Sequence, residues 1–189
     1  MKKDICKITP PLSPKDIASL RAGDEVLISG TIYTARDAAH KRLAGLLEKG
    51  KKLPVDLSGQ ILYYTGPTPR NPKTGRLSAG PTTSSRMDIY TPLLLAKTGL
   101  AAMIGKGNRS PAVVDAMKKH CTVYFAAGGG LGALIGKCIR KSTVVCYGDL
   151  GPEAIYRFEV KNFPVIVAID LKGRNLYVDG PKKYNSEAE

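Results

Sequence analysis

The stretch VLISGTIYTARDAAHKRLAGLLEKG, residues 26–50, decides the fold class. Its first eight residues, Val26–Tyr33, are apolar and β-branched, which reads as a strand. A helix follows from about Ala35 to Lys49, with Thr34 as its cap, Asp37 in the reciprocal capping position and Gly50 as its stop. Leu43, Leu46 and Leu47 share one face of that helix and form its buried side. To the C-terminal side, strands and helices keep alternating. Gln60–Thr65, Ala101–Ile104, Thr122–Ala126, Thr143–Tyr147 and Val165–Asp170 read as strands, and Ser110 and Pro111 open a helix that runs to Lys119. Another helix begins between Ser85 and Pro92, either at Ser85 with a kink at Pro92 or afresh after Thr91. Gly128–Ile139 reads as a glycine-rich turn leading into a helix. The alternation predicts an α/β domain with a mixed sheet flanked by helices.

Residues 1–24 read as an irregular N-terminal arm with a short helix over Lys15–Leu20, capped by Ser13 with Pro14 in its first turn. Residues 25–180 form the domain and 181–189 a frayed tail. Thr68–Ser85 is a long polar loop punctuated by Pro69, Pro72, Gly75, Gly80 and Pro81. Loops of that length inside compact domains are usually functional.

The 189 residues are 43% hydrophobic and 24% charged, the balance of a globular chain with enough length to bury a core. The longest stretch free of charge and histidine is Cys121–Gly136, too short and too rich in glycine for a membrane span. Lys2 and Lys3 have no apolar run behind them, so no export signal is expected and the chain reads as cytoplasmic. Cys6, Cys121, Cys138 and Cys146 make no Cys-x-x-Cys pair, and the only histidines are His40 and His120. That spacing supports neither a zinc nor a self-contained iron–sulfur site on this chain.

The formal net charge is +13. More than half of it lies in residues 61–120, whose only acids are Asp88 and Asp115. Such a surface attracts anions, whether nucleic acid, small carboxylates or phosphates, or an acidic subunit. No nucleic-acid module is visible, and Tyr63 and Tyr64, adjacent on a strand, point to opposite faces, so at most one could stack on a base. Gly128, Gly130 and Ala133 match G-x-G-x-x-A after a strand, with Asp149 about 20 residues on, a pattern that suits a dinucleotide. The unit lies late in the chain with too few strands after it, so packing glycines are the plainer reading.

Three cations fall at similar positions. Arg36 lies in the first turn of a helix, Arg86 follows the hydroxyl run Thr82–Ser85, and Lys106 sits in the Gly105–Asn108 turn before a Ser110-capped helix. Each places a cation near unpaired backbone N–H groups, where an anion is favoured. Converging, the three would suit a small dicarboxylate, with arginine forks on its carboxyl ends.

The motifs TARDAAHKR (34–42), YYTGP (63–67), GPTTSSRMD (80–88), GKGNRS (105–110) and FPVIVAID (163–170) together resemble the β region of the iron–sulfur hydro-lyases, the family of class I fumarase and L-tartrate dehydratase. The resemblance runs in order from Val26 to Tyr177. It implies a swivelling β/β/α domain and, for a free-standing chain of this length, the β subunit of a hetero-oligomer of the α2β2 kind. The α subunit would hold the four-iron, four-sulfur (4Fe–4S) cluster.

The resemblance also implies roles. Thr82 matches the base that takes the C3 proton of malate, and Arg36, Arg86 and Lys106 match contacts to the substrate carboxylates. A threonine hydroxyl is a weak base unless neighbouring cations or a partner's group activate it. TARDAAHKR and KGNRS follow the fumarase pattern, whereas Ser84-Ser85 stands where fumarases often have Ala-Gly, and the loop at Asn71–Arg76 differs from theirs. Fumarate hydration is the expected reaction, L-tartrate dehydration the alternative, and a non-catalytic anion- or nucleotide-binding module a third reading.

Overall fold

The computed structural model describes residues 5–186, with side chains to residue 183. In order they form β1 (Cys6–Ile8), α1 (Pro14–Ser19), β2 (Glu25–Thr34), α2 (Asp37–Glu48), β3 (Ile61–Tyr63), α3 (Thr91–Thr98), β4 (Ala102–Gly105), α4 (Pro111–Lys119), β5 (Val123–Ala126), α5 (Gly132–Gly136), β6 (Ile139–Cys146), β7 (Ile155–Ile169) and α6 (Leu176–Ser186), with 3-10 turns at Ser84–Met87 and Gly148–Glu153. None of these helices is long and apolar enough to cross a membrane.

The strands make one mixed sheet in the order β1-β2-β3-β4-β5-β7-β6, and β7 also pairs with β2. Strands β2, β3, β4, β5 and β7 therefore close into a five-stranded barrel, flanked by helices, as expected of the swivelling β/β/α type. Strands β1 to β5 run parallel to their neighbours. Strand β7 runs antiparallel to β2, β5 and β6. Its 15 residues let it follow β2 from Tyr33↔Arg157 to Glu25↔Ile166 and still reach Tyr124 of β5 through Ile169. The β2–β7 register shifts between Ile28 and Gly30, and such a bulge bends the pair toward closure.

The central strands are buried on both faces, which is why they read as continuous apolar runs. Ile61, Tyr63, Ala102, Ile104, Val123 and Phe125 belong to the barrel interior. Leu62, Tyr64, Met103 and Tyr124 pack outward against Leu43, Leu94, Leu95, Val113 and Met117 of α2, α3 and α4. Tyr63 and Tyr64 are both fully buried, so neither offers a face to a base.

Several local expectations are corrected. Thr34 does not cap α2: it ends β2, where its hydroxyl accepts the Tyr156 N–H at 3.0 Å. The N-cap is Arg36, which makes no side-chain cap bond. Asp37 does not complete a capping box, because two guanidiniums hold its carboxylate. The buried face of α2 is Ala39, His40, Leu43 and Ala44, with Leu46 and Leu47 half-buried. Of the two helix starts left open beyond Ser85 the second is observed, since α3 begins at Thr91 with Pro92 in its first turn, after a separate 3-10 turn at Ser84–Met87. The helix after Gly128 shrinks to the five residues of α5.

The arm also does more than expected, since Cys6–Ile8 adds a parallel strand beside Val26–Ile28. Ser13 caps α1 with the reciprocal Asp16 bond. Strand β7 begins ten residues before Val165, and α6 extends into the stretch expected to be tail. Residues 187–189 of that tail, like residues 1–4 of the arm, lie outside the described residues.

Candidate functional site

Three neighbouring parallel strands, β2, β3 and β4, end on one side of the sheet, and the sequence-identified residues follow those ends. Arg36 comes two residues after β2, and Lys106 directly follows β4. The segment Thr82–Ser84 is wedged between the ends of β3 and β4. Its Thr82 N–H donates to the Tyr64 carbonyl at 2.7 Å, its Thr82 carbonyl accepts from the Lys106 N–H at 3.3 Å, and its Ser84 N–H donates to the Lys106 carbonyl at 2.9 Å. In α/β sheets, open or closed into a barrel, the edge beyond the carboxyl ends of parallel strands is where ligands bind.

Arg36 and Arg86 meet on one carboxylate. Arg86 donates from Nε and Nη2 to the two oxygens of Asp37 at 2.9 and 2.8 Å. The Arg36 Nε donates to Asp37 Oδ2 at 3.1 Å and pairs with Glu153 Oε1 at 2.7 Å. Burial works against ionisation of Asp37, but the bonds and charge of Arg86, with Arg36, outweigh it and hold the carboxyl below the usual carboxylate range. A Cβ on Gly66 would come within 3.3 Å of Arg36 Nη1 and 3.0 Å of the Pro152 carbonyl, so the glycine admits the guanidinium.

The Lys106 side chain is exposed and has no hydrogen bond or ion pair among the described residues. Its turn is fastened from below. The Ser84 hydroxyl and the Tyr124 hydroxyl lie 2.9 Å apart, and Tyr124 donates to the Gly107 carbonyl at 2.9 Å. Burial pushes the Tyr124 hydroxyl up, so it stays a neutral donor. Tyr177 accepts the Gly107 N–H at 3.1 Å. Ser84, the hydroxyl at the departure from the fumarase pattern, is thus buried and bonded inward, while Ser85 is exposed. Thr82 is half-buried, and no group among the described residues holds its hydroxyl.

Residues 3–180 fit the family model described as Fumarase C-terminus. The chain belongs to the Fumarase C-terminus family. It is 38% identical over 177 residues to the "Putative L(+)-tartrate dehydratase subunit beta" of Methanocaldococcus jannaschii, covering 91% of each chain. It is 36% identical to "Fumarate hydratase 2" of Leishmania major, covering 94% of this chain and 30% of that protein. With "Fumarate hydratase class I, anaerobic" of Escherichia coli it shares 40% identity over 153 residues, 79% of this chain and 28% of that one. The chain therefore spans nearly the whole of the first relative and under a third of the other two.

Sequence reasoning missed the groups that support the site in this Fumarase C-terminus chain. Asp37 lay within TARD but was assigned to a cap, and Glu153 comes from a turn before β7 with no motif around it. Arg109, inside GKGNRS, is buried rather than exposed. The glycine run keeps its plainer reading, that of packing glycines. A Cβ at Gly132 would come within 3.0 Å of the Gly80 nitrogen, one at Gly136 would collide with the Leu77 carbonyl, and one at Gly128 with Leu131. Gly132 and Gly136 let α5 lie against the root of the 68–85 loop, Gly128 makes room for Leu131 in its own turn, and Asp149 pairs with Arg42 instead of reaching toward a ribose.

The side chains of this Fumarase C-terminus chain do not fit an iron–sulfur cluster. Among the described residues no three His, Cys, Asp or Glu side chains converge on one point. Cys6, Cys121, Cys138 and Cys146 are free thiols, on β1, in the connections before β5 and before β6, and at the end of β6. Burial raises the pKa of Cys6, Cys138 and Cys146, which disfavours the thiolates that ligate iron.

Proposed function

We propose that this chain is the β subunit of a two-part hydro-lyase that hydrates fumarate reversibly to (S)-malate, and that its cluster is carried by the α subunit. One observation carries the reading. Two arginines are fastened side by side on one edge of the barrel beyond β2, and a lysine without a carboxylate partner among the described residues follows β4, two strands along the same edge. Two guanidiniums and an ammonium suit a substrate with a carboxylate at each end.

Dehydration of malate removes a proton from C3 and the hydroxyl from C2. In this account Thr82 takes the C3 proton. Arg36, Arg86 and Lys106 bind the carboxylates, and the charge that builds on the carboxylate beside C3 as the proton leaves is stabilised by these cations. Departure of the C2 hydroxyl is the partner's part. Thr82 is joined to Lys106 by one backbone hydrogen bond.

L-tartrate dehydration is the second reading. It is favoured by the Methanocaldococcus jannaschii relative, whose length this chain matches. Anaerobic recovery of the native complex through a tag on this chain, followed by parallel assays of fumarate hydration and L-tartrate dehydration, tests both. The proposal expects a copurifying cysteine-rich subunit and faster fumarate turnover. Preference for tartrate moves the assignment to the second reading, and absence of both activities overturns the hydro-lyase assignment.

A further inference from the structure

We propose that Asp37 is the positioning residue of the dicarboxylate receptor, fixing the Arg36 guanidinium at its Nε and the Arg86 guanidinium along its Nε–Nη2 edge so that the remaining Nη groups are presented together to the substrate. The inference rests on the hydro-lyase reading and deepens it.

Arg36 and Arg86 are brought together from different elements. Arg36 caps α2, whereas Arg86 lies in the 3-10 turn after the long loop. The backbone contacts described above place their main chains, but each guanidinium sits at the end of a flexible stem, and a free arginine side chain loses much rotamer freedom when a ligand immobilises it. Asp37 removes that freedom in advance. Both of its oxygens accept from the Nε–Nη2 edge of Arg86, and Oδ2 also accepts from the Arg36 Nε.

Glu153 holds the same Arg36 Nε from the other side. Its second oxygen accepts the Ala38 N–H at 3.3 Å, which ties it to the first turn of α2. Asp37 is itself the first residue of α2, where the helix dipole favours an anion. Among the described residues nothing takes the Arg86 Nη1 or either Nη of Arg36. On Arg36 the protein holds only the Nε and leaves both Nη groups over, whereas on Arg86 it holds the Nε–Nη2 edge and leaves Nη1 over.

A carboxylate against an arginine could instead be a competitor that substrate must displace, and the two roles give opposite signs. As a positioning group, Asp37 helps substrate bind, and its loss raises KM. As a competitor it hinders binding, and its loss lowers KM. The formal charges of Arg36, Arg86, Asp37 and Glu153 cancel, so the quartet offers directed donors rather than net attraction. Lys106 contributes the unbalanced charge.

The test uses the anaerobic complex with Asp37→Asn and Asp37→Glu. Asp37→Asn keeps the shape but loses the charge. It is expected to raise KM for the dicarboxylate by roughly ten- to a hundredfold, as removal of charge-assisted bonds does, with kcat changing far less. Asp37→Glu is expected to recover part of the loss. A lowered or unchanged KM, or a fall in kcat alone, overturns the proposal.

A second readout needs no turnover. In the full chain the Arg36 and Arg86 Nε–Hε NMR signals are expected to be sharp and shifted downfield, and to collapse toward those of free arginine in Asp37→Asn. Signals unaltered by the substitution overturn the clamp. If the wild-type complex turns over neither dicarboxylate, the hydro-lyase reading fails while these signals still decide whether Asp37 positions the pair.

Discussion

Arg109 and Asp88 form an ion pair beneath the candidate site, Nε to Oδ1 at 2.7 Å, with the arginine side chain fully buried and the aspartate 11% exposed. The guanidinium lies between the Tyr64 and Tyr124 rings, 5.3 and 5.2 Å from their centroids, and its Nη2 donates to the Thr91 hydroxyl at 2.8 Å. The other Asp88 oxygen accepts the Ser110 N–H at 2.7 Å. One buried pair thus ties the turn that bears Arg86 to the start of α4, just beyond the Lys106 turn.

Removing one partner of such a pair strands a buried charge. Asp88→Asn and Arg109→Met are each expected to lower the unfolding free energy by about 3–5 kcal/mol. Urea titration monitored by tyrosine fluorescence measures this, and a loss below about 1 kcal/mol, the level of an exposed pair, would contradict the burial described here.

His40 gives a pH dependence with a definite sign. Burial in α2 pushes the imidazole down to about 4, aided by the charge of Arg109, although a bond to the Arg36 carbonyl and the charge of Asp37 oppose this. The folded state therefore refuses a proton that the unfolded state accepts, and stability falls as pH drops from about 6.5 toward 4. Between pH 7 and 5 the His40 contribution is about 2 kcal/mol. The difference in unfolding free energy between those two pH values should shrink by that amount in His40→Gln, and an unchanged difference would show that His40 is not the group responsible.

How much of this was legible follows from where each signal lives. The parallel strands β3, β4 and β5 were readable because strands buried on both faces leave short apolar runs bounded by glycine and proline. The first half of β7 was not. Arg157, Glu159 and Lys161 alternate with Phe158 and Val160, and Asn162 sits at positive φ beside a bulge, so the run breaks where the strand does not. Likewise Arg36, Arg86 and Lys106 stood out as cations near turns and helix starts. Asp37 and Glu153 did not, because the Asp37–Arg86 and Glu153–Arg36 contacts join residues far apart in sequence, and Asp37 had a plausible local use as a cap.

The glycine run carries its own test. Gly136→Ala is expected to destabilise the fold by about 1–3 kcal/mol, because its Cβ would meet the Leu77 carbonyl and backbone cannot step aside cheaply. Gly129→Ala, whose Cβ would meet only the Lys106 Cδ at 3.7 Å, is expected to leave stability nearly unchanged. Thermal melts of the two variants decide it. Equal melting temperatures would mean that Gly136 is not a packing glycine.

If Thr82 takes the reacting proton, turnover of the complex depends on its hydroxyl. The most direct measurement is the turnover of the anaerobically purified complex carrying Thr82→Ala, beside wild type and with assembly checked by gel filtration. Loss of a positioned base should reduce kcat by at least about a hundredfold while the subunits still copurify. Turnover at the wild-type rate in an intact complex would remove Thr82 from the chemistry and contradict the account.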